Sequence, residues 1–223
     1  MLLTIYAIAM ALLEAAVVVY MRRLYYPDNP LNIFPMRFLD AYDSVVELSR
    51  EVATVIMLLT VALLAEQTSR TRCFAAFIFM FGVWDVFYYA WLKVFIGWPT
   101  RWLEWDVLFL IPVVWLGPWI CPALISLLFI AWGYWTLRSN EKIAFSLSSF
   151  SLFALGAALG LVTFFQPALG VLGKGEVADL SQYVPGAFWW WLFVPSIVLM
   201  GCGLGMTLRA SKVDDGLQQP ANT

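Results

Sequence analysis

Four charged residues lie inside stretches that are otherwise apolar enough to cross a membrane. Glu14 lies in the first stretch, Arg50 and Glu51 lie in the second, and Asp85 lies in the third. A charge at the bilayer centre costs roughly 2.5 to 3.5 kcal/mol, so each residue needs a partner, a proton or water. A rise of about 1.5 Å per residue places all four on one half of the bilayer, within about 7.5 Å of its centre. We therefore expect them to form one polar site.

The charges of this site do not balance. Arg50 can neutralise one of the carboxylates of Glu14, Glu51 and Asp85 with a forked hydrogen bond. Two negative charges then remain for a proton, a bound cation or water. This excess predicts that the protein binds or translocates a proton, a cation or a small cationic solute.

An acidic stripe leads towards this site along the second stretch. Asp40, Asp43, Glu47 and Glu51 follow one another at spacings of three, four and four, which places them on one helix face. The stripe resembles an access path for a cation or proton. Alternatively, Asp40 and Asp43 only solvate the helix end, and Glu47 forms a local pair with Arg50.

Two tyrosines and a further acid complete the candidate site. Tyr88 and Tyr89 follow Asp85 by three and four residues, at the spacing that lets side chains meet on a helix. We expect their hydroxyls to hydrogen-bond Asp85. The predicted ion- or substrate-binding residues are Glu14, Glu47, Arg50, Glu51, Asp85, Tyr88, Tyr89 and Asp106.

Residues 82–122 combine aromatic residues with prolines. This segment holds seven of the twelve Trp and four of the eleven Pro. One interpretation is a membrane-embedded enzyme for a lipid-like substrate, with a site lined by Trp98, Trp102, Trp105 and Asp106. The other is an aromatic belt, because Trp is enriched where membrane meets water.

The composition indicates a multi-span membrane protein. Of the 223 residues, 62% are hydrophobic and 17% are aromatic, far above the share in globular domains. The net charge of −2 gives no basic patch for nucleic acid. Histidine is absent and the three cysteines are far apart, so we expect no metal site and no cofactor.

Hydropathy predicts an all-α integral membrane protein with a single membrane domain over residues 1–223. A Pro-broken or re-entrant element is expected near 105–122, because Pro112 and Pro118 remove helical hydrogen bonds. We expect tight or flexible loops at 138–142 and around Lys174. The six predicted spans are 2–20, 37–65 with an interfacial start, 73–95, 123–137, 143–165 and 186–208.

An even number of spans places both termini on one side of the membrane. Six Lys or Arg residues are expected on that side and five on the other, which favours a cell-membrane protein with cytoplasmic termini. Gly156/Gly160 and Gly201/Gly205 have the spacing that lets helices approach closely. They are candidate surfaces for a homo- or hetero-oligomer, and a further alternative is an accessory or assembly subunit of a larger membrane complex.

Overall fold

The chain is mostly helical. The computed structural model describes residues 1–37, 39–67, 69–139, 143, 145–172 and 185–217. Parts of the predicted loops at 138–142 and around Lys174 lie outside these residues. The described elements are α1 (Leu2–Tyr25), α2 (Ala41–Ala65), α3 (Arg70–Ile96), β1 (Trp105–Phe109), β2 (Trp115–Pro118), α4 (Ile120–Arg138), α5 (Leu147–Leu172) and α6 (Trp190–Leu217).

Six helices in the described residues are long and apolar enough to cross a membrane, as the hydropathy pattern predicted. Their bounds differ from the predicted spans at several ends. Helices α2, α5 and α6 each begin four residues later than predicted, at Ala41, Leu147 and Trp190. The start of α2 is set by Asp40, whose carboxylate accepts a hydrogen bond from the Asp43 N–H at 2.7 Å. This side-chain cap satisfies a backbone donor that the first helical turn leaves free.

Helix α3 packs against α1, α2 and α4, and α5 packs against α6. Small residues allow the closest approaches. A Cβ atom at Gly82 of α3 would lie 2.6 Å from the Ser126 carbonyl oxygen of α4. A Cβ atom at Gly156 of α5 would lie 2.6 Å from the Ser196 carbonyl oxygen of α6. Glycine therefore brings the backbones of these helix pairs together.

The two predicted glycine pairs differ in their surroundings. Gly156 lies against α6 of the same chain. A Cβ atom at Gly160 would lie 3.3 Å from the Ser196 hydroxyl oxygen. The pair on α6 does not make the corresponding contact: Gly205 has open space beside it, and Gly203 instead meets the backbone of α5. An oligomer through either pair stays a prediction.

The Pro-rich segment contains a β-hairpin, which the all-α prediction did not include. Strands β1 and β2 are antiparallel, with Asp106 opposite Gly117. Pro112 lies between the strands and Pro118 ends β2, so neither interrupts a helix. The hairpin lies where α1 and α3 end, because Arg22 of α1 bonds Asp106 and stacks over Trp98, two residues beyond α3. We call this the hairpin end of the bundle.

Candidate functional site

A cavity of about 250 Å³ lies at the hairpin end, between α1, α2, α3 and β1. Most of its lining side chains are apolar or aromatic. All eight residues predicted from the sequence line this one cavity, although their role in binding stays a prediction: Glu14, Glu47, Arg50, Glu51, Asp85, Tyr88, Tyr89 and Asp106.

Arg50 joins α1 to α2 within the cavity. Its Nε donates to Glu47 at 2.9 Å, one turn earlier on the same helix, and its Nη1 donates to Glu14 of α1. The expected local pair with Glu47 is therefore present. One guanidinium serves two carboxylates, so this group keeps one negative charge when all three residues are ionised.

Glu51 lies one residue beyond Arg50 and is buried, with 5% of its surface exposed. Both carboxylate oxygens accept from the Leu110 N–H, at 3.0 and 3.1 Å. Leu110 immediately follows β1, so this bond holds the hairpin against α2. Among the described residues, no Lys or Arg lies within ion-pair distance of Glu51.

Asp85 is satisfied differently from our expectation. Its Oδ2 accepts a hydrogen bond from the Ser126 hydroxyl of α4 at 2.9 Å. The expected bonds from Tyr88 and Tyr89 are not formed in the described structure. The Tyr89 ring packs instead against the rings of Trp98 and Trp119. Like Glu51, Asp85 has no cationic partner in the described part of the chain.

A buried ion pair beneath the hairpin forms part of the cavity lining. Arg22 Nη2 donates to Asp106 Oδ1 at 2.9 Å, and the two side chains are 4% and 3% exposed. The guanidinium lies 4.1 Å from the centre of the Trp98 ring, which is the geometry of a cation–π contact. Burial raises the pKa of the Asp106 carboxyl to about 6, against the opposing charge of Arg22. The positive charge of Arg22 lowers the pKa of the same carboxyl and so favours the ionised form that the pair requires.

Three buried polar atoms of the lining have no hydrogen-bond partner in the described structure. They are Arg22 Nη1, Asp106 Oδ2 and Trp84 Nε1. The ion pair is thus made through one atom of each fork, and the other donor and acceptor remain unused. Buried polar groups are almost always hydrogen-bonded, so each of these atoms has an unmet hydrogen bond that water or a ligand group would complete.

The full lining is acidic. Five acidic and three basic residues line the cavity, so complete ionisation leaves two negative charges in excess. Arg50 and Arg22 engage Glu14, Glu47 and Asp106, whereas Glu51 and Asp85 make no described ion pair. The group of Glu14, Glu47 and Arg50 keeps one negative charge, and Glu51 and Asp85 would add two more. The third basic residue, Arg37, makes no described ion pair and brings the total to two. Glu51 and Asp85 are thus the two carboxylates that bond only to an N–H or a hydroxyl.

The opposite half of the bundle is packed where the cavity ends. Ala7 and Ala11 of α1, Leu58 and Ala62 of α2, and Met80 of α3 are all 0% exposed and form one cluster. The described helices therefore enclose the cavity on that side. The exposed lining residues Arg37 and Ser44 lie in the connection between α1 and α2 and at the start of α2, so the cavity opens at the hairpin end.

The aromatic residues proposed for an enzyme site do not come together. Trp98 is buried against Arg22, whereas Trp102 is 73% exposed and lies in a second cleft. Trp105 packs against Phe188. The expected group of Trp98, Trp102, Trp105 and Asp106 is therefore divided among different surroundings, and only Asp106 lines the acidic cavity.

Arg22, which lines the cavity, and Ser126, which bonds Asp85, were not among the residues predicted from the sequence. Arg22 follows the first predicted span, where an arginine ordinarily reaches the interface. Ser126 was not considered, although a hydroxyl in the middle of an apolar helix is a signal that a polar partner lies nearby.

Comparisons of the chain with protein-family models, with curated proteins and with solved structures found no match.

Proposed function

We propose that this chain is a cell-membrane protein that binds a small organic cation in the acidic cavity and moves it across the bilayer. The observation that carries the proposal is the presence of two carboxyl groups in the cavity, the buried Glu51 and the half-buried Asp85, without an ion-pair partner among the described residues. A bound cation supplies the missing charge. A proton occupies the site when the organic cation is absent.

The walls of the cavity favour an organic cation over a metal ion. Trp84, Tyr88 and Tyr89 line it together with many apolar side chains. Aromatic faces attract alkylammonium groups, and apolar walls accommodate their carbon atoms. A bare metal ion needs several oxygen ligands around one point, whereas Glu51 and Asp85 are held by different elements, the Leu110 N–H and the Ser126 hydroxyl.

The proposed orientation has both termini in the cytoplasm and the hairpin end facing outwards. The hairpin is the re-entrant element in this arrangement, dipping between the helices from the outer surface. Its polar backbone is then covered by strand pairing and by protein, as a membrane requires. Leu116 of β2, which is 0% exposed, supports such a covered position.

Binding can be measured by calorimetry with purified protein in lipid nanodiscs, using tetramethylammonium as the probe. We expect Asp85→Asn and Glu51→Gln each to weaken binding about tenfold or more, because each removes one charge and keeps the shape. Asp28→Asn is the matched control, since Asp28 is exposed and does not line the cavity.

Uptake of labelled tetramethylammonium into proteoliposomes tests translocation separately. Saturable uptake that both acid variants lose would support transport. Equal tetramethylammonium binding by wild-type protein and both variants would show that the carboxyl groups are structural, and the proposal would then be withdrawn.

A second candidate is a membrane-embedded enzyme that acts on a lipid-like substrate. The mostly apolar lining of the same cavity favours it, because a hydrocarbon chain would fit beside Val18, Met21 and Met36. Asp85 and Glu51 would then act as acid and base. Turnover of a lipid extract by purified protein, lost in Asp85→Asn, would favour this function over transport.

A further inference from the structure

We propose that the Arg22–Asp106 pair is a second subsite of the cavity, which binds a neutral group that both donates and accepts hydrogen bonds. A hydroxyl or a primary amide has this chemistry. The ligand would then be an organic cation with such a group at its other end. The statement that the ligand is a cation rests on the proposed function, whereas the subsite itself does not.

The unused atoms of the pair carry the inference. Arg22 Nη2 and Asp106 Oδ1 bond each other, while Arg22 Nη1 and Asp106 Oδ2 have no partner in the described residues. Both residues are more than nine-tenths buried and line the cavity. One donor and one acceptor of the same ion pair are therefore left without a partner, in two residues that line the cavity.

The pair selects a neutral group by charge. An anionic group would accept from Arg22 but would be repelled by the free oxygen of Asp106. A second cation would bond Asp106 but would be repelled by Arg22. A hydroxyl or amide accepts from one residue and donates to the other, so it satisfies both atoms without adding charge.

The two residues are held in place from outside the cavity. Arg22 stacks over Trp98, which is 1% exposed. Asp106 lies on β1 and is paired with Gly117 of β2. Side chains that are already held in place lose little conformational entropy when a ligand binds, which favours specific hydrogen bonding to the ligand.

The spacing along β1 limits the length of the ligand. Asp106 lies four residues before Leu110, whose N–H bonds Glu51. Four residues of extended strand cover at most about 13 Å. A ligand that reaches from the acids to the ion pair is therefore a chain of several carbons with one charged end and one neutral polar end.

The test compares trimethylammonium probes with chains of two to eight carbons, which end in methyl, methoxy, hydroxyl or primary amide. A methoxy group accepts a hydrogen bond but does not donate one. At the chain length that fits, we expect the hydroxyl or amide probe to bind about five- to tenfold more tightly than the methyl probe. The methoxy probe should lie between them, and probes that end in carboxylate or ammonium should bind no better than methyl.

The double variant Arg22→Met/Asp106→Leu removes both charges together, since loss of one alone would leave the other buried without a partner. We expect the ratio between methyl and hydroxyl dissociation constants to fall to about one in this variant. The matched control is Glu66→Leu/Arg72→Met, which removes the ion pair between Glu66, the residue after α2, and Arg72 of α3, away from the cavity. It should keep the wild-type ratio.

The outcomes separate the two proposals. Cation binding without a preference for hydroxyl or amide in the wild type would overturn the subsite and leave the proposed function intact. If no cation binds, the proposed function fails, and hexane-1,6-diol compared with its dimethyl ether tests the subsite alone. A diol preference lost in the double variant supports the subsite, and equal or absent binding of both overturns it.

Discussion

Arg50 is the residue on which the charge balance of the cavity depends. It bonds Glu14 of α1 and Glu47 of α2, and both carboxylates are largely buried. Removing one partner of a buried ion pair leaves the other charge without compensation. We expect Arg50→Ala to lower the free energy of unfolding by roughly 3 to 5 kcal/mol.

Unfolding in mixed micelles of increasing SDS content measures this loss. Arg23→Ala is the control, because Arg23 is exposed, makes no described ion pair, and precedes the connection to α2. It should change the unfolding free energy by less than about 0.5 kcal/mol. Equal unfolding midpoints for the two variants would mean that Glu14 and Glu47 do not need Arg50.

At the residue scale, the sequence predicted which acidic residues lie in the site, but it did not predict all of their hydrogen-bond and ion-pair partners. Glu14, Glu51 and Asp85 could be located because the rise of a helix sets the depth of each residue. The Arg22–Asp106 pair could not, because the two residues are 84 positions apart and one belongs to an unforeseen strand. Such a contact depends on the tertiary fold, which helix periodicity does not encode.

At the element scale, glycines set the distance between α5 and α6. A Cβ atom at Gly156 would lie 2.6 Å from the Ser196 carbonyl oxygen and 2.7 Å from the Met200 nitrogen, both of which are backbone atoms. We expect Gly156→Ala to separate the helices and lower stability by about 1 to 3 kcal/mol. Gly205→Ala should be neutral or slightly stabilising, because alanine favours helix and the space beside Gly205 is open.

The two alanine variants are compared in the same SDS titration, and their effects should have opposite signs or differ by at least about 1 kcal/mol. A similar destabilisation by both would indicate that Gly205 is covered in solution, as an oligomer would require. Native mass spectrometry in mild detergent would then identify the second copy or partner.

The helices could be predicted from hydropathy, but their contact faces could not. The spacing rule selected Gly201 and Gly205, whereas the glycine of α6 that meets the α5 backbone is Gly203. Two residues correspond to a rotation of about 200°, so Gly203 lies on the other side of α6. The hairpin was missed because its prolines suggested irregular backbone, although Trp105–Phe109 is, apart from Asp106, a short aromatic and aliphatic run typical of a strand.

At the scale of the molecule, the cavity and the packed cluster divide the bundle into two halves. The acids lie between the hairpin and the middle of α3, and beyond them α1, α2 and α3 meet through residues such as Ala11, Leu58 and Met80. The proposed transport requires the site to be exposed to each side in turn. Under that proposal, opening towards the far side requires these three helices to separate.

The last prediction concerns the arrangement of the six helices in the membrane. Asn29 lies between α1 and α2, Thr100 follows α3, and Ser69 precedes α3. Single cysteines at these sites, in a background with Cys73, Cys121 and Cys202 replaced by serine, can be labelled in intact cells with a membrane-impermeant maleimide.

We expect cysteines at 29 and 100 to react from outside and the one at 69 to react only after permeabilisation. The reason is that crossings by α2 and α3 separate Ser69 from both other sites, while the Lys and Arg excess favours cytoplasmic termini. Labelling of cysteines 29 and 69 from the same side would contradict a crossing of the membrane by α2. The reverse labelling pattern at all three sites would mean that the protein has the opposite orientation in the membrane, with the hairpin end and the cavity opening facing the cytoplasm.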